Sequence, residues 1–300
     1  MKKYKVVLIV NLLLISFTYS SAQESAQSFF NSKGGIAIQT TQMDAMADTI
    51  AVINHRWDDI AWKRTVYKVI DLRDKQNYQL YFPMRPNEEY ESLFRLMLNA
   101  IADGLPVYRR NAREIRPSFN EKIEDVDLPL IFSYDDNRDN DLIQVDSITH
   151  TIKIGEDQYQ KYIRNQQKFL IEEIYFFDKN YSRMYSKIIA IAPLNAKNPN
   201  NSGSQNKMVF LRESILCWFA FDELRPYLAK KYVIPNGNET ERLTFDEYFA
   251  EKYYSSYLLG DANMFNRMLL DTFDDASKIK KEQKKIETEL LNFELDLWEF

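Results

Sequence analysis

From Lys168 onward the apolar positions fall in a pattern suited to strands. Phe169 to Phe177 and Ser182 to Ile191 are two apolar-rich runs separated by Asp178-Lys179-Asn180-Tyr181. Asp and Asn favour turns and Asn180 tolerates positive φ, so the pattern predicts a β-hairpin over about 168–191. Pro193 is expected to end the second strand. A polar stretch over 196–206 separates the hairpin from a third expected strand at about 207–221. Apolar residues on both faces near the strand ends predict a sheet covered by helices on at least one side.

Elsewhere the spacing is helical. Leu93, Leu96, Met97 and Ile101 form one stripe of a helix expected over Glu88 to Asp103. Asn87 is its expected cap, and Gly104 followed by Pro106 its stop. A short helix is expected from Asp222 through Leu228. Thr244-Phe245-Asp246-Glu247 has capping-box spacing, in which the Thr hydroxyl and Glu carboxylate satisfy each other's backbone donors. Leu243 is placed to staple onto Tyr248, and Gly260 to stop that helix. A last helix or helix pair covers Met264 to Trp298, with Ile279, Ile286, Leu290, Phe293 and Leu297 as its stripe. Trp57 to Asp74 predicts a helix with Trp62, Val66, Val69 and Ile70 on one face, and its β-branched content leaves a strand open from Thr65 onward. The expected fold is therefore α+β: an antiparallel sheet flanked by helices, with a long C-terminal helix.

Met1 to Ala22 has the layout of a signal peptide. Lys2, Lys3 and Lys5 precede the apolar run Val6 to Phe17, and Ser20-Ser21-Ala22 offers a small-residue cut. Residues 23–54 are polar and rich in small side chains, including Gly34-Gly35, and are expected to form a flexible arm. Residues 55–300 form the expected single domain. Removing residues 1–22 takes three of the 39 basic residues and no acidic one, leaving 36 against 44, a net charge near −8. Nucleic acid needs a basic stripe, so it is not an expected partner. Cys217, the one cysteine, lies within the expected third strand and is read as a small buried hydrophobe.

Catalytic patterns are missing from the sequence. His55 and His150 are the two histidines, and neither has a second His, Cys or Glu at metal-ligand spacing. Asp135-Asp136-Asn137-Arg138-Asp139-Asn140-Asp141 invites a calcium reading, but it lacks the glycine and closing glutamate of an EF-hand loop. A solvated loop is expected there. Glu172 and Glu173 are adjacent on a strand and so face opposite sides, where they cannot act on one substrate. Neither a phosphate-binding loop nor a dinucleotide fingerprint occurs, and seven glycines are few for 300 residues. No catalytic residue, cofactor or metal is expected. Two rival readings stay open: a carboxylate-dependent periplasmic hydrolase, and a small-ligand binding module.

The C-terminal stretch suggests a surface for another protein. Lys278, Lys280, Lys281, Lys284 and Lys285 come first and Glu287, Glu289, Glu294, Asp296 and Glu299 follow, an order that opposes the helix dipole. Four blocks then carry a resemblance. The first is Asp59-Ile60-Ala61-Trp62-Lys63-Arg64 with Ile70-Asp71-Leu72-Arg73-Asp74 and Leu80-Tyr81-Phe82-Pro83. The second runs from Phe177-Asp178-Lys179-Asn180-Tyr181-Ser182 to Ile189-Ala190-Ile191-Ala192-Pro193. The third is Trp218-Phe219-Ala220-Phe221-Asp222-Glu223-Leu224-Arg225. The fourth is Leu243-Thr244-Phe245-Asp246 with the closing Asp296-Leu297-Trp298-Glu299-Phe300.

In that order and spacing the chain resembles the GldN/PorN family of the Bacteroidetes gliding and type IX secretion machinery, from about Asp58 to the end. It departs from the family pattern at Ala190, where a glycine is common, and at Asp222, where a proline is expected. The resemblance implies a soluble, non-catalytic periplasmic component. Such a component forms a ring with a GldK/PorK-type outer-membrane lipoprotein and couples to GldL/PorL- and GldM/PorM-type inner-membrane proteins. The candidate partner-binding residues are Arg73, Asp178, Lys179, Arg183, Arg225 and Trp298. Arg73, Asp178, Arg183 and Arg225 are equally open to roles in internal ion pairs or turns, and Trp298 to a place in the core.

Overall fold

The computed structural model describes residues 49–50, 55–87, 90–110, 115–132, 142–146, 149–164, 166–195, 215–235, 242–262, 268–273 and 275–297. The signal peptide, nearly all of the arm, the Asp135 to Asp141 run, residues 196–214 and Trp298 lie outside them. Among the described residues no helix is long and apolar enough to cross a membrane.

The centre of the domain is a five-stranded antiparallel sheet. Its members are β1 (Ile60–Asp71), β6 (Gln166–Asp178), β7 (Arg183–Asn195), β8 (Phe219–Ala220) and β9 (Tyr257–Asp261), ordered β8-β7-β6-β1-β9. Two small ribbons accompany it: β2 (Tyr108–Arg110) with β3 (Pro117–Lys122), and β4 (Ile143–Val145) with β5 (Ile152–Ile154). The main helices are α1 (Leu93–Ala102), α2 (Glu156–Ile163), α3 (Phe221–Leu228), α4 (Phe245–Ala250) and α5 (Ala276–Asp296). The fold is α+β with the expected antiparallel sheet and long C-terminal helix.

The hairpin forms as the pattern predicts, but its turn is organised differently. Asp178 Oδ1 accepts the backbone N–H groups of Asn180 (2.8 Å) and Tyr181 (3.3 Å). This Asx arrangement leaves Ser182, not Asn180, in the left-handed region at φ 50. Pro193 does not end β7, which continues to Asn195. A strand residue's N–H and C=O point to the same edge, and the Pro193 carbonyl is turned outward to accept Leu216 N–H at 3.2 Å. The missing N–H therefore faces away from β6 and breaks no ladder bond there.

Four further expectations are corrected. Residues 60–71 are a strand rather than part of a helix over Trp57 to Asp74; the strand left open from Thr65 onward is the alternative that forms, and it begins earlier, at Ile60. Val66 and Ile70 enter core clusters on one face while Tyr67 and Val69 enter another on the opposite face. Burial on both sides removes the period-two signal and leaves an accidental helical spacing. The third strand stops at Ala220, with extended pairing at Ile215 and Trp218, because Phe221 already opens α3. Helix α1 begins five residues later than expected, capped by Ser92, whose Oγ accepts Arg95 N–H; Asn87 Oδ1 instead accepts Tyr90 N–H in the preceding turn. Helix α4 has the predicted capping box but ends at Ala250, where Lys252 takes φ 55 and turns the chain into β9. Gly260 thus sits in a strand, and a Cβ there would meet Met268 Sδ at 2.8 Å.

Packing follows from these faces. Ile70, Phe169, Ile171 and Ile191 join residues of α1 to α4 in the main core. Tyr67, Val69, Leu170, Ala190 and Ala192 meet Tyr108, Ile115 and Trp218 on the other side. Helix α5 lies over the start of β1, burying Ile286 and Leu290 against Val66 and Leu258 and stacking Phe293 on Trp62 at 4.3 Å. Burial of those two side chains contributes about 1.5–3 kcal/mol each.

Candidate functional site

The tip of the β6–β7 hairpin gathers three of the six candidate residues. Asp178 is 1% exposed, and its Oδ2 accepts the Nδ1–H of His55 at 2.6 Å. The His55 ring packs against Tyr185 (4.4 Å), Phe176 (4.9 Å) and Tyr181 (5.8 Å). Burial opposes ionisation of Asp178, but the His55 hydrogen bond and the two turn N–H groups outweigh it and hold the carboxyl below its ordinary value. Lys179 donates its backbone N–H to Asp59 O at 2.9 Å, which ties the tip to the start of β1. With the tip held from beneath, Lys179, Tyr181 and Arg183 point into solvent. Trp57, 69% exposed, lies nearby in the chain at the start of β1, with the Lys63 ammonium 4.6 Å over its ring.

Arg73 and Arg225 lie elsewhere, in internal ion pairs. Arg73 sits past the opposite end of β1. It donates Nε–H to Asp71 Oδ1 (2.9 Å) and Nη2–H to Oδ2 (2.5 Å), which holds that carboxyl low. Arg225 on α3 clasps the buried Asp246 on α4 side-on, at 2.8 Å from Nε and 3.0 Å from Nη2. That geometry fixes the angle between two helices of the core. Trp298 falls outside the described residues.

One charged centre was not found in the sequence. Glu173 is fully buried, yet its Oε2 accepts Lys68 Nζ at 2.7 Å and its Oε1 accepts Lys252 Nζ at 2.5 Å. Lys68 also donates to Tyr175 Oη at 2.7 Å, and both ammonium groups lie over the Tyr175 ring. Burial works against the Glu173 carboxylate, but the two lysines outweigh it and lower its pKa. Its neighbour Glu172 faces the other way, as the strand period requires. It accepts from Tyr67 Oη at 3.2 Å, with Arg116 4.0 Å off, and burial pushes its carboxyl up. Lys68, Glu173 and Lys252 are too far apart in sequence for any spacing rule. The available hint was a pair of glutamates inside an otherwise apolar strand.

Among the described residues two carboxyls are raised by burial: Glu172 on β6, hydrogen-bonded to Tyr67, and Glu91 just before α1, hydrogen-bonded to Asn99. Among the described residues no group of three or more His, Cys, Asp or Glu could hold a metal ion. Cys217 is buried and its thiol is pushed up by desolvation.

The fold is an α+β domain in which the buried Glu173, Asp178 and Asp246 are each engaged by a basic side chain, while Lys179 and Arg183 stand exposed at the hairpin tip. The chain belongs to the GldN family: the family model, described as gliding motility associated protein GldN, matches residues 55–299. That membership makes it a component of the gliding motility and type IX secretion machinery. No curated protein matches the chain.

Proposed function

We propose that this protein is a non-catalytic periplasmic subunit of the type IX secretion machinery, exported by its N-terminal segment. In this reading it forms a ring with a GldK/PorK-type outer-membrane lipoprotein. It couples that ring to GldM/PorM-type and GldL/PorL-type inner-membrane proteins, and so supports protein export and gliding. The observation that carries the reading is the extent of the family match, 55–299, which begins at the residue anchoring the hairpin tip and takes in the whole described domain. Lys179 and Arg183 are the contact residues of this reading, with Arg73, exposed past the opposite end of β1, as a separate one. Asp178 and Arg225 hold elements in place behind the surface.

The test is co-purification with the lipoprotein after co-expression in a host that exports both. A stable stoichiometric complex is expected. Recovery of the two proteins in separate fractions, each folded by circular dichroism, would refute the proposal.

A further inference from the structure

Helix α5 carries a second surface, facing away from the sheet. Its inner stripe is Ile286, Leu290 and Phe293; on a 3.6-residue helix Leu291 and Leu295 point the opposite way, and they are 54% and 53% exposed. Between Ile286 and Leu297 the helix has Glu287, Glu289, Glu294 and Asp296 and no Lys or Arg. An exposed pair of leucines one turn apart, rimmed by one sign of charge, is an interaction surface. Glu289 is paired with Arg64 of β1 at 3.1 Å, but no ion pair engages Glu287, Glu294 or Asp296 among the described residues, and acidic residues near a helix C-terminus are unfavourable with the dipole.

The hairpin tip is its complement. Against a net charge of −5 for the chain, Lys63, Lys179 and Arg183 stand exposed around Trp57 and Tyr181. No ion pair engages Lys63, Lys179 or Arg183 among the described residues. The two surfaces are at the same end of β1, since Trp62 stacks on Phe293 and Ile60 pairs with Asp178. They are on opposite faces of the sheet, however. Helix α5 covers the face of Trp62 and Val66, while Lys63 and Phe176 belong to the other. They cannot close on each other within one molecule.

We infer that the Leu291/Leu295 ridge of one copy docks on the Trp57/Tyr181 hairpin tip of the next, giving a head-to-tail contact. This deepens the self-association in the proposed function and rests on it. Two different patches on opposite faces make a heterologous contact, which repeats from copy to copy and closes into a ring or runs on as a filament. Pairing of α5 with itself fits less well. The antiparallel register that sets Leu291 on Leu295 also sets acidic half against acidic half. The other strongly exposed aliphatic pair, Val126 and Leu130, sits among Glu124, Asp125 and Asp127, where Arg109 is already engaged by Asp127 and so is not free to meet an acidic ridge.

The experiment is a charge swap on the exported, purified protein, read by sedimentation velocity from about 1 to 100 µM. One variant carries Glu287→Lys and Glu294→Lys, the other Lys179→Glu and Arg183→Glu; all four positions are exposed, so both variants should fold. The unaltered protein is expected to associate with rising concentration, and less so in 0.5 M salt. Each variant alone should associate at least tenfold more weakly, and an equimolar mixture of the two should recover association, because the lysine-bearing ridge then meets the glutamate-bearing tip and the unaltered acidic ridge meets the unaltered basic tip. A protein monomeric at 100 µM, association indifferent to both variants, or a mixture that stays dissociated would each overturn the inference. Loss of lipoprotein capture in both variants with self-association intact would also overturn it, by assigning the patches to that partner. Self-association that obeys the charge swap without any lipoprotein complex would uphold the contact and refute only the wider function.

Discussion

Replacing Glu173 by Gln isolates the buried charge centre. The substitution keeps the shape and removes the charge that Lys68 and Lys252 approach to 2.7 and 2.5 Å. Two ammonium groups would then share the Tyr175 ring with no anion between them. Removing one partner of a buried ion pair costs about 3–5 kcal/mol. Lys252, with its side chain 41% exposed, can swing into water, whereas Lys68 at 20% largely cannot, which places the cost near the lower end, about 3 kcal/mol. For a domain of this size that lowers Tm by roughly 6–12 °C. Urea denaturation followed by far-UV circular dichroism measures it. Glu172→Gln is the internal control: the same change one residue away, at a carboxyl that burial already disfavours, should cost under about 1 kcal/mol at pH 7. Replacing all three charged groups together (Lys68→Met, Glu173→Leu, Lys252→Met) should recover most of the loss, since apolar replacements avoid the desolvation of an ion pair. Equal losses for the two Gln variants, or a Glu173→Gln loss below about 1 kcal/mol, would refute the assignment of the two lysines to Glu173.

The two glutamates also predict opposite pH responses. The lowered Glu173 carboxyl contributes stability above the ordinary Glu value of 4.5, and that contribution is lost as pH falls through its folded value. Glu172, held up by burial, stays protonated in the fold where the unfolded chain ionises, so stability declines as pH rises from 4.5 through its folded value. Acid titration of the Glu173→Gln and Glu172→Gln proteins should flatten one limb each. Arg225→Lys should destabilise by about 2–3 kcal/mol in denaturant melts, because a lysine cannot reproduce the side-on pair with buried Asp246. Thr244→Ala should cost about 1 kcal/mol by removing one half of the capping box, without altering assembly measured by sedimentation.

Local rules carried the hairpin, the capping box and the C-terminal helix stripe, because each is set by residues within a turn or two of one another. Thr244 and Glu247 satisfy each other's neighbourhood whatever surrounds them, and Asp178 organises a turn through donors two and three residues on. Strand β1 and the stretch to Gly260 were misjudged for the converse reason. Between β6 and β9, with core on both faces, Val66, Tyr67, Val69 and Ile70 follow neither period cleanly. Gly260 lies in β9 with the Met268 side chain packed close over it rather than at a helix end. Of the candidate residues, Lys179 and Arg183 lie exposed as turn residues ordinarily do, whereas Asp178 is buried because its carboxylate organises the turn and meets His55. Arg225 could not be sorted from them, since an arginine before a helical proline looks the same whether it meets solvent or Asp246.

By itself, then, the sequence determined the family, the α+β class and the elements whose stabilising contacts are short-range. Tertiary structure alone decided which charges are spent and which are free. Glu173 meets Lys68 and Lys252, and His55 meets Asp178, across separations of 79 to 123 residues. Coulomb and hydrogen-bond energies depend on distances in space, and no periodicity along the chain encodes those.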